Sequence, residues 1–174
     1  DGPKNGIVKL MVNPEKPKAV DGVIKALEKA DIIVLGPGSL YTSIIPNLLV
    51  DGVVDAIKKS NAVKIYVCNI MSQAGETENY TVSDHLAAIE RHSYEGIADI
   101  VIANNAIIPE SLRIKYASEH AREVMIDSIS VLKRAKLVQG NLLLVRNDKI
   151  RHNFSRLART IMRLGSDVNY FENK

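Results

Sequence analysis

The sequence predicts an α/β fold, a mostly parallel sheet flanked by helices. Three short apolar runs carry that prediction: Asp31 to Leu35, Val63 to Cys68 and Asp99 to Ala103. Each is continuous rather than alternating, as in strands covered on both faces. Segments with apolar residues at helical spacing separate them, and the connections are short. That is the pattern of parallel strands joined by crossover helices.

In chain order, Ile7 to Val12 reads as a strand closed by the Asn13-Pro14 and Lys16-Pro17 breaks. Ala19 to Ala30 reads as a helix, with Val20, Val23, Ile24 and Leu27 at helical spacing. Asp31 to Leu35 ends in Gly36, and Pro46 to Lys59 reads as a second helix with Leu49, Val53, Ala56 and Ile57 on one side. After the Val63 to Cys68 strand, Thr81 to His92 reads as a third helix. Its start, Thr81-Val82-Ser83-Asp84, has the spacing of a capping box with Asp in the Glu/Gln place. Beyond Pro109 the pattern loosens. Pro109 to Ala121 reads as a helix, Glu123 to Val131 as extended chain and Asn141 to Val145 as a final strand. Asn153 caps a last helix with Phe154, Leu157, Ala158, Ile161 and Met162 as its apolar stripe. No repeat, low-complexity stretch or linker divides residues 1–174, which read as a single α/β unit.

At 174 residues, 46% apolar and 25% charged, the chain has the composition of a globular protein with a real core. No apolar run reaches the roughly 18 residues of a membrane span, and no secretory signal pattern opens the chain. A cytoplasmic location is the default. The single cysteine, Cys68, excludes an internal disulfide and reads as a small buried hydrophobe. The start at Asp1-Gly2-Pro3 rather than methionine suggests a fragment. Net charge is −4 from Asp1 to Glu110 and +8 from Ser111 to Arg163. A basic half can attract phosphates, but nucleic acid is not expected. Arg156, Arg159 and Arg163 read as a solvated helix face, and the few Tyr and Phe residues are too scattered for base stacking.

Ligands of open parallel sheets bind beyond the carboxyl ends of the strands, and two strand exits here are unusual. The first is Gly36-Pro37-Gly38-Ser39-Leu40-Tyr41-Thr42-Ser43. Its glycines allow close backbone approach, and Ser39, Thr42 and Ser43 offer hydroxyls. Backbone amides entering a helix attract anions, so a phosphate cradle stands here beside a plain strand-to-helix turn. It is neither a dinucleotide fingerprint, since Tyr41 occupies the third glycine place, nor a Walker loop. The second exit runs from Asn69 to Thr77, where Asn69, Gln73, Glu76 and Thr77 could bond sugar hydroxyls or a base edge, or simply form a polar surface loop. The four histidines have no metal-ligand spacing. Ser39, Asp84 and His85 do not make a hydrolase triad, because the nucleophile-elbow sequence is absent and adjacent helical residues diverge.

Three segments together resemble one family: GPGSLYTSIIPNLLVDG, KIYVCNIMSQAGET with the following YTVSDHL, and Arg151-His152 before the final helix. They are similar to the bacterial gluconeogenesis factors (YvcK-type), relatives of the 2-phospho-lactate transferases (CofD-type). The resemblance runs over nearly the whole chain. It implies a Rossmann-like, CofD-like fold of which this chain is the carboxyl-terminal half, because the family's GGGTG-type loop and DDGG-type segment are absent. The gluconeogenesis-factor branch is a cytoplasmic, UDP-N-acetylglucosamine-binding regulator of cell shape and wall-precursor supply on gluconeogenic carbon, with no established catalysis or cofactor. The transferase branch moves a phospholactyl group from a nucleotide-activated donor and uses a divalent metal.

Carried over by position, the resemblance places Gly36, Pro37, Gly38, Ser39, Tyr41, Thr42 and Ser43 along the nucleotide phosphates. It places Asn69, Gln73, Glu76 and Thr77 on the sugar side, and adds a tyrosine, Tyr116, and the arginine of an RHD-like segment, Arg151. The segment departs from the pattern at Asn153, where RHD has aspartate. At Phe154 some members carry a phosphorylatable threonine. The resemblance therefore implies a UDP-sugar-binding regulator, with cell-wall enzymes and a second copy of the chain as candidate partners and no membrane contact. The other implied reading is a transferase. The GPGSLYTSIIPN wording favours the regulator.

Overall fold

The computed structural model describes residues 7–172; the Asp1-Gly2-Pro3 start lies outside them. Helix α1 (Val23–Lys29) leads into strand β1 (Ile32–Leu35), a five-residue π turn (Leu40–Ile44), α2 (Ile45–Leu48) and α3 (Val53–Lys59). Then come β2 (Val63–Val67), α4 (Val82–Arg91), β3 (Ile100–Asn104), α5 (Glu110–Ser118), α6 (Ser128–Leu132) and β4 (Lys136–Gly140). The hairpin β5 (Leu143–Arg146) and β6 (Lys149–His152) precedes the long helix α7 (Phe154–Glu172). Strands β1 to β4 form one sheet in that order, every pair parallel.

The continuous apolar strands are covered on both faces, as their sequence requires. Successive side chains of a strand point to opposite faces, and the two cores divide accordingly. Tyr66, Cys68, Val101 and Ala103 pack with the π turn, α3, α4 and α6. Val63, Ile65, Val67, Ile100 and Ile102 pack with Leu157 and Leu164 of α7. The capping box forms with Asp84: Thr81 Oγ1 accepts from the Asp84 amide at 3.3 Å, and the Thr81 amide donates to Asp84 at 2.9 Å.

Three sequence expectations are corrected, and one strand has no counterpart among them. Ile7 to Val12 is not a strand. It has no ladder partner among the described residues, exposes Val8 and Met11, and hangs from two side chains: Tyr41 donates to the Ile7 carbonyl, and His92 Nε2 accepts from the Leu10 amide. Pro46 to Lys59 is not one helix. Gly52, at φ +79°, breaks it, and both pieces bury the same side, so the apolar periodicity ran across the break unnoticed. Glu123 to Val131 is extended only around the Met71–Glu123 bridge, and Ser128–Leu132 is helical. The sheet's fourth strand, Lys136–Gly140, has no apolar run because it lies at an edge with its side chains half covered or exposed.

At the other edge β1 is paired on one side only among the described residues. Beside it runs a cleft of about 460 Å³ with apolar walls that include Val23, Leu27, Val34 and Leu48. On the α7 face the approach is close: a Cβ at Gly165 would fall inside the Ile32 side chain. Gly→Ala in an open helix gains about 1 kcal/mol. Here the sign reverses, and Gly165→Ala is expected to lower stability by about 1–2 kcal/mol through overpacking, measured as the urea midpoint.

Candidate functional site

The loops leaving β1 and β2 meet the β5–β6 hairpin and the first turns of α7 around a cleft of about 670 Å³, within the range of small-molecule sites. Its polar wall holds Gly38, Ser39, Asn69, Ser72, Gln73, Tyr116, Arg151 and His152, and its apolar wall includes Phe154, Leu157, Ala158 and Ile161.

Each polar group has a structural reason for its place. Gly36 turns the chain at φ +87°, and a Cβ there would stand 3.1 Å from the Val67 carbonyl oxygen. Ser39 closes the loop: its hydroxyl donates to Glu76 Oε2 at 2.9 Å, tying the first strand exit to the second. The second loop is held from within, since Thr77 Oγ1 accepts from the Gln73 amide at 2.9 Å and the Thr77 amide donates to the Gln73 carbonyl at 3.0 Å. The hairpin turns at Asn147-Asp148, both with positive φ, a geometry these residue types tolerate. Tyr116 of α5 fixes the hairpin's inner edge, its hydroxyl accepting from the Ile150 amide at 3.0 Å. Ile70, Ile108, Leu112 and Ile150 form a small core beneath this junction.

The Arg151 side chain is exposed and, among the described residues, makes one hydrogen bond, to the Ile150 carbonyl at 3.1 Å. Among the described residues it has no acidic partner, so its full charge is available to a ligand. His152 behaves oppositely. Its Nε2 faces the Cys68 carbonyl at 3.2 Å, and burial pulls its pKa below the ordinary 6.5, against the opposing effect of that hydrogen bond. A nitrogen facing a carbonyl must carry the proton, so His152 is the neutral Nε2–H tautomer.

The sequence-derived site residues thus separate. Pro37, Gly38, Ser39, Asn69, Gln73, Tyr116 and Arg151 line one cleft. Gly36 shapes the turn behind it, and Glu76 reaches it through Ser39. Tyr41 and Thr77 lie in the interior; the Tyr41 hydroxyl meets those of Tyr80 and the Ile7 carbonyl, each at 3.0 Å, and burial pushes its pKa up to about 12. Thr42 and Ser43 are exposed outside the cleft lining. The turn after the loop is five π residues and four α residues, too short for a strong helix dipole. The positive charge of the cleft therefore rests on Arg151. Composition and spacing missed Ser72 and the α7 wall, although Ser72 stands between two residues of a loop already singled out. His152 was legible as Arg151's neighbour. Cys68 is buried as expected, its thiol pushed up to about 12 by burial. Among the described residues no group of three His, Cys, Asp or Glu could hold a metal ion, and no helix is long and apolar enough to cross a membrane.

Two histidines give a prediction. Burial lowers the pKa of His85 as it does that of His152. Below pH 6.5 the unfolded chain binds protons that the folded chain refuses, so stability rises with pH there. The contribution is complete above 6.5 and is lost as pH falls toward the lowered folded values. The urea midpoint is expected to drop between pH 7.5 and pH 5.5, with a shallower slope in His85→Asn. The Asn amide can replace the Nδ1 contact to the Thr81 carbonyl but does not titrate.

The family model for 2-phospho-L-lactate transferase CofD matches residues 2–157. The chain is 42% identical to a gluconeogenesis factor of Halalkalibacterium halodurans over 92% of its own length and 51% of that protein's. It is 38% identical to the gluconeogenesis factor of Bacillus subtilis over 91% of its length and 50% of that protein's. Crystal structures of a Bacillus halodurans protein superpose with TM-scores of 0.87 and 0.84 at 40% and 41% identity, covering 90% and 87% of this chain and 51% and 49% of theirs. One of them is described as a member of the UPF0052 family. The chain spans about half the length of the curated relatives it matches. The matched region includes both glycine-loop strand exits, Tyr116 and the Arg151-bearing hairpin, and on that span this chain belongs to the CofD family.

Proposed function

We propose that this chain carries the nucleotide-sugar site of a regulatory protein in cell-shape and wall-precursor control on gluconeogenic carbon, with UDP-N-acetylglucosamine as its ligand. The observation that supports this most directly is the sharing of one cleft by Gly38, Ser39, Tyr116 and Arg151, which has no acidic partner among the described residues. Loop amides and a guanidinium fork suit a diphosphate, because both donate several N–H groups to anionic oxygens. The second loop and the α7 wall complete the lining of the same cleft, on which a sugar and a base can rest. The names of the relatives, gluconeogenesis factors, support the branch.

The family model's description favours a second reading, a phospholactate-type transferase. Calorimetry on the whole protein separates them. Saturable binding of UDP-N-acetylglucosamine without a metal supports the regulator. No binding of it, with tight binding of a guanosine nucleotide plus Mg²⁺, replaces that reading with the transferase.

A further inference from the structure

We propose that Gln73 and His152 form an acceptor pair in the cleft that reads hydroxyl donors on the sugar portion of the ligand. The inference rests on the nucleotide-sugar reading and goes beyond it by assigning the part of the ligand that an anion cradle cannot select.

Arg151 and the Gly38–Ser39 amides are donors, so they recognise charge and would accept any diphosphate. Selection of one diphosphate over another requires groups that respond to something else. Two groups on the cleft wall are acceptors without a donor. Gln73 Oε1 is buried and has no hydrogen-bond partner. Its backbone cannot swing to find one, because the Gln73 amide and carbonyl are both engaged within the loop, with Thr77 and Glu76. His152 donates Nε2–H to the Cys68 carbonyl, which leaves Nδ1 as a bare lone pair with no partner among the described residues.

A buried acceptor left unmatched costs about 1–3 kcal/mol. A ligand that supplies an O–H to Gln73 Oε1 relieves that cost, and a second O–H adds a hydrogen bond at the less buried His152 Nδ1; a ligand without such donors does neither. This is the basis on which a polar site rejects an analogue that lacks a hydroxyl. Pyranose hydroxyls and the amide N–H of an N-acetyl group are donors of the required kind. Both residues are also reached from the frame of the fold. Gln73 follows β2 and His152 ends β6, so loop closure is not needed to bring them to one cleft.

The test compares UDP-N-acetylglucosamine with UDP on the whole protein by calorimetry. Gln73→Met keeps the length of the side chain without Oε1. His152→Gln puts an amide N–H where Nε2–H stood and nothing where Nδ1 stood, whereas His152→Asn restores an acceptor at the Nδ1 place. Gln73→Met and His152→Gln are each expected to weaken UDP-N-acetylglucosamine about tenfold, with UDP unchanged. His152→Asn is expected to recover most of the loss. Equal weakening of both ligands, or no weakening of either, overturns the acceptor pair while leaving the binding site standing. A wild-type protein that binds neither ligand overturns both the site and the pair.

Discussion

Arg151→Ala is expected to lower the affinity for UDP-N-acetylglucosamine by about a hundredfold while leaving the folded state intact. The size follows from what the side chain does and does not do in the ligand-free protein. Its only hydrogen bond goes to the neighbouring Ile150 carbonyl, and no carboxylate neutralises it among the described residues. Hydrogen bonds involving a charged group contribute about 1.5–3 kcal/mol each, and a fork that holds two phosphate oxygens combines two of them. Because the side chain is exposed, its removal should change stability by less than about 0.5 kcal/mol. Arg151→Lys should keep part of the attraction and lose the bidentate geometry. Arg156 gives the control: it lies in the first turn of α7, donates to the Asn141 carbonyl and is absent from the cleft wall. Arg156→Ala should alter affinity by no more than about twofold. If it matters as much as Arg151→Ala, the effect is one of overall basic charge, and the cleft reading loses its main support.

That contrast shows what the sequence could reveal of the site. The strand exits were legible because glycine and serine after a continuous apolar run have a local cause that periodicity exposes. Their meeting point was not. Nothing within residues 34–50 or 69–77 says that the hairpin from Leu143 to His152 will close the cleft. That closure depends on Tyr116 bonding the Ile150 amide and on a small core of Ile70, Ile108, Leu112 and Ile150. Tyr116 entered through resemblance alone, whereas Arg151 was legible as a cation just before the last helix and took its specific role from the resemblance. Tyr41 shows the reverse failure: a polar residue in a glycine loop looks like a ligand group, yet its ring fills the core and its hydroxyl is bonded inside. The fold itself was legible where strands are buried on both faces. It was hidden at Lys136–Gly140, where an edge strand needs no apolar run. Ile7 to Val12 was misread because a largely apolar run can also lie across a surface, held by a tyrosine and a histidine.

The other large effect is expected at Gly36. Gly36→Val should lower stability by about 3–5 kcal/mol and abolish ligand binding at the same time. Two costs combine. At φ +87° any L side chain is strained, by about 1–2 kcal/mol. A Cβ would also stand 3.1 Å from the Val67 carbonyl oxygen and 3.1 Å from Ile44 Cδ1. Ile44 can shift its side chain. Val67 cannot, because β2 is held between β1 and β3 in the centre of the sheet. The loop must therefore move, and Ser39 moves with it, away from Glu76. Gly75 separates the two costs. It has φ +74° and nothing within 4 Å of its Cβ position, so Gly75→Ala should lose only the conformational part, about 1 kcal/mol. Thermal melting reads the difference, since about 1 kcal/mol shifts Tm by about 2–4 °C in a chain of this size. A Gly36→Val protein that melts with Gly75→Ala would mean the loop bends without strain, and the sheet would not be what sets the cleft floor. Melting about 10 °C lower, with UDP-N-acetylglucosamine no longer bound, is the result the packing of Gly36 against Val67 requires.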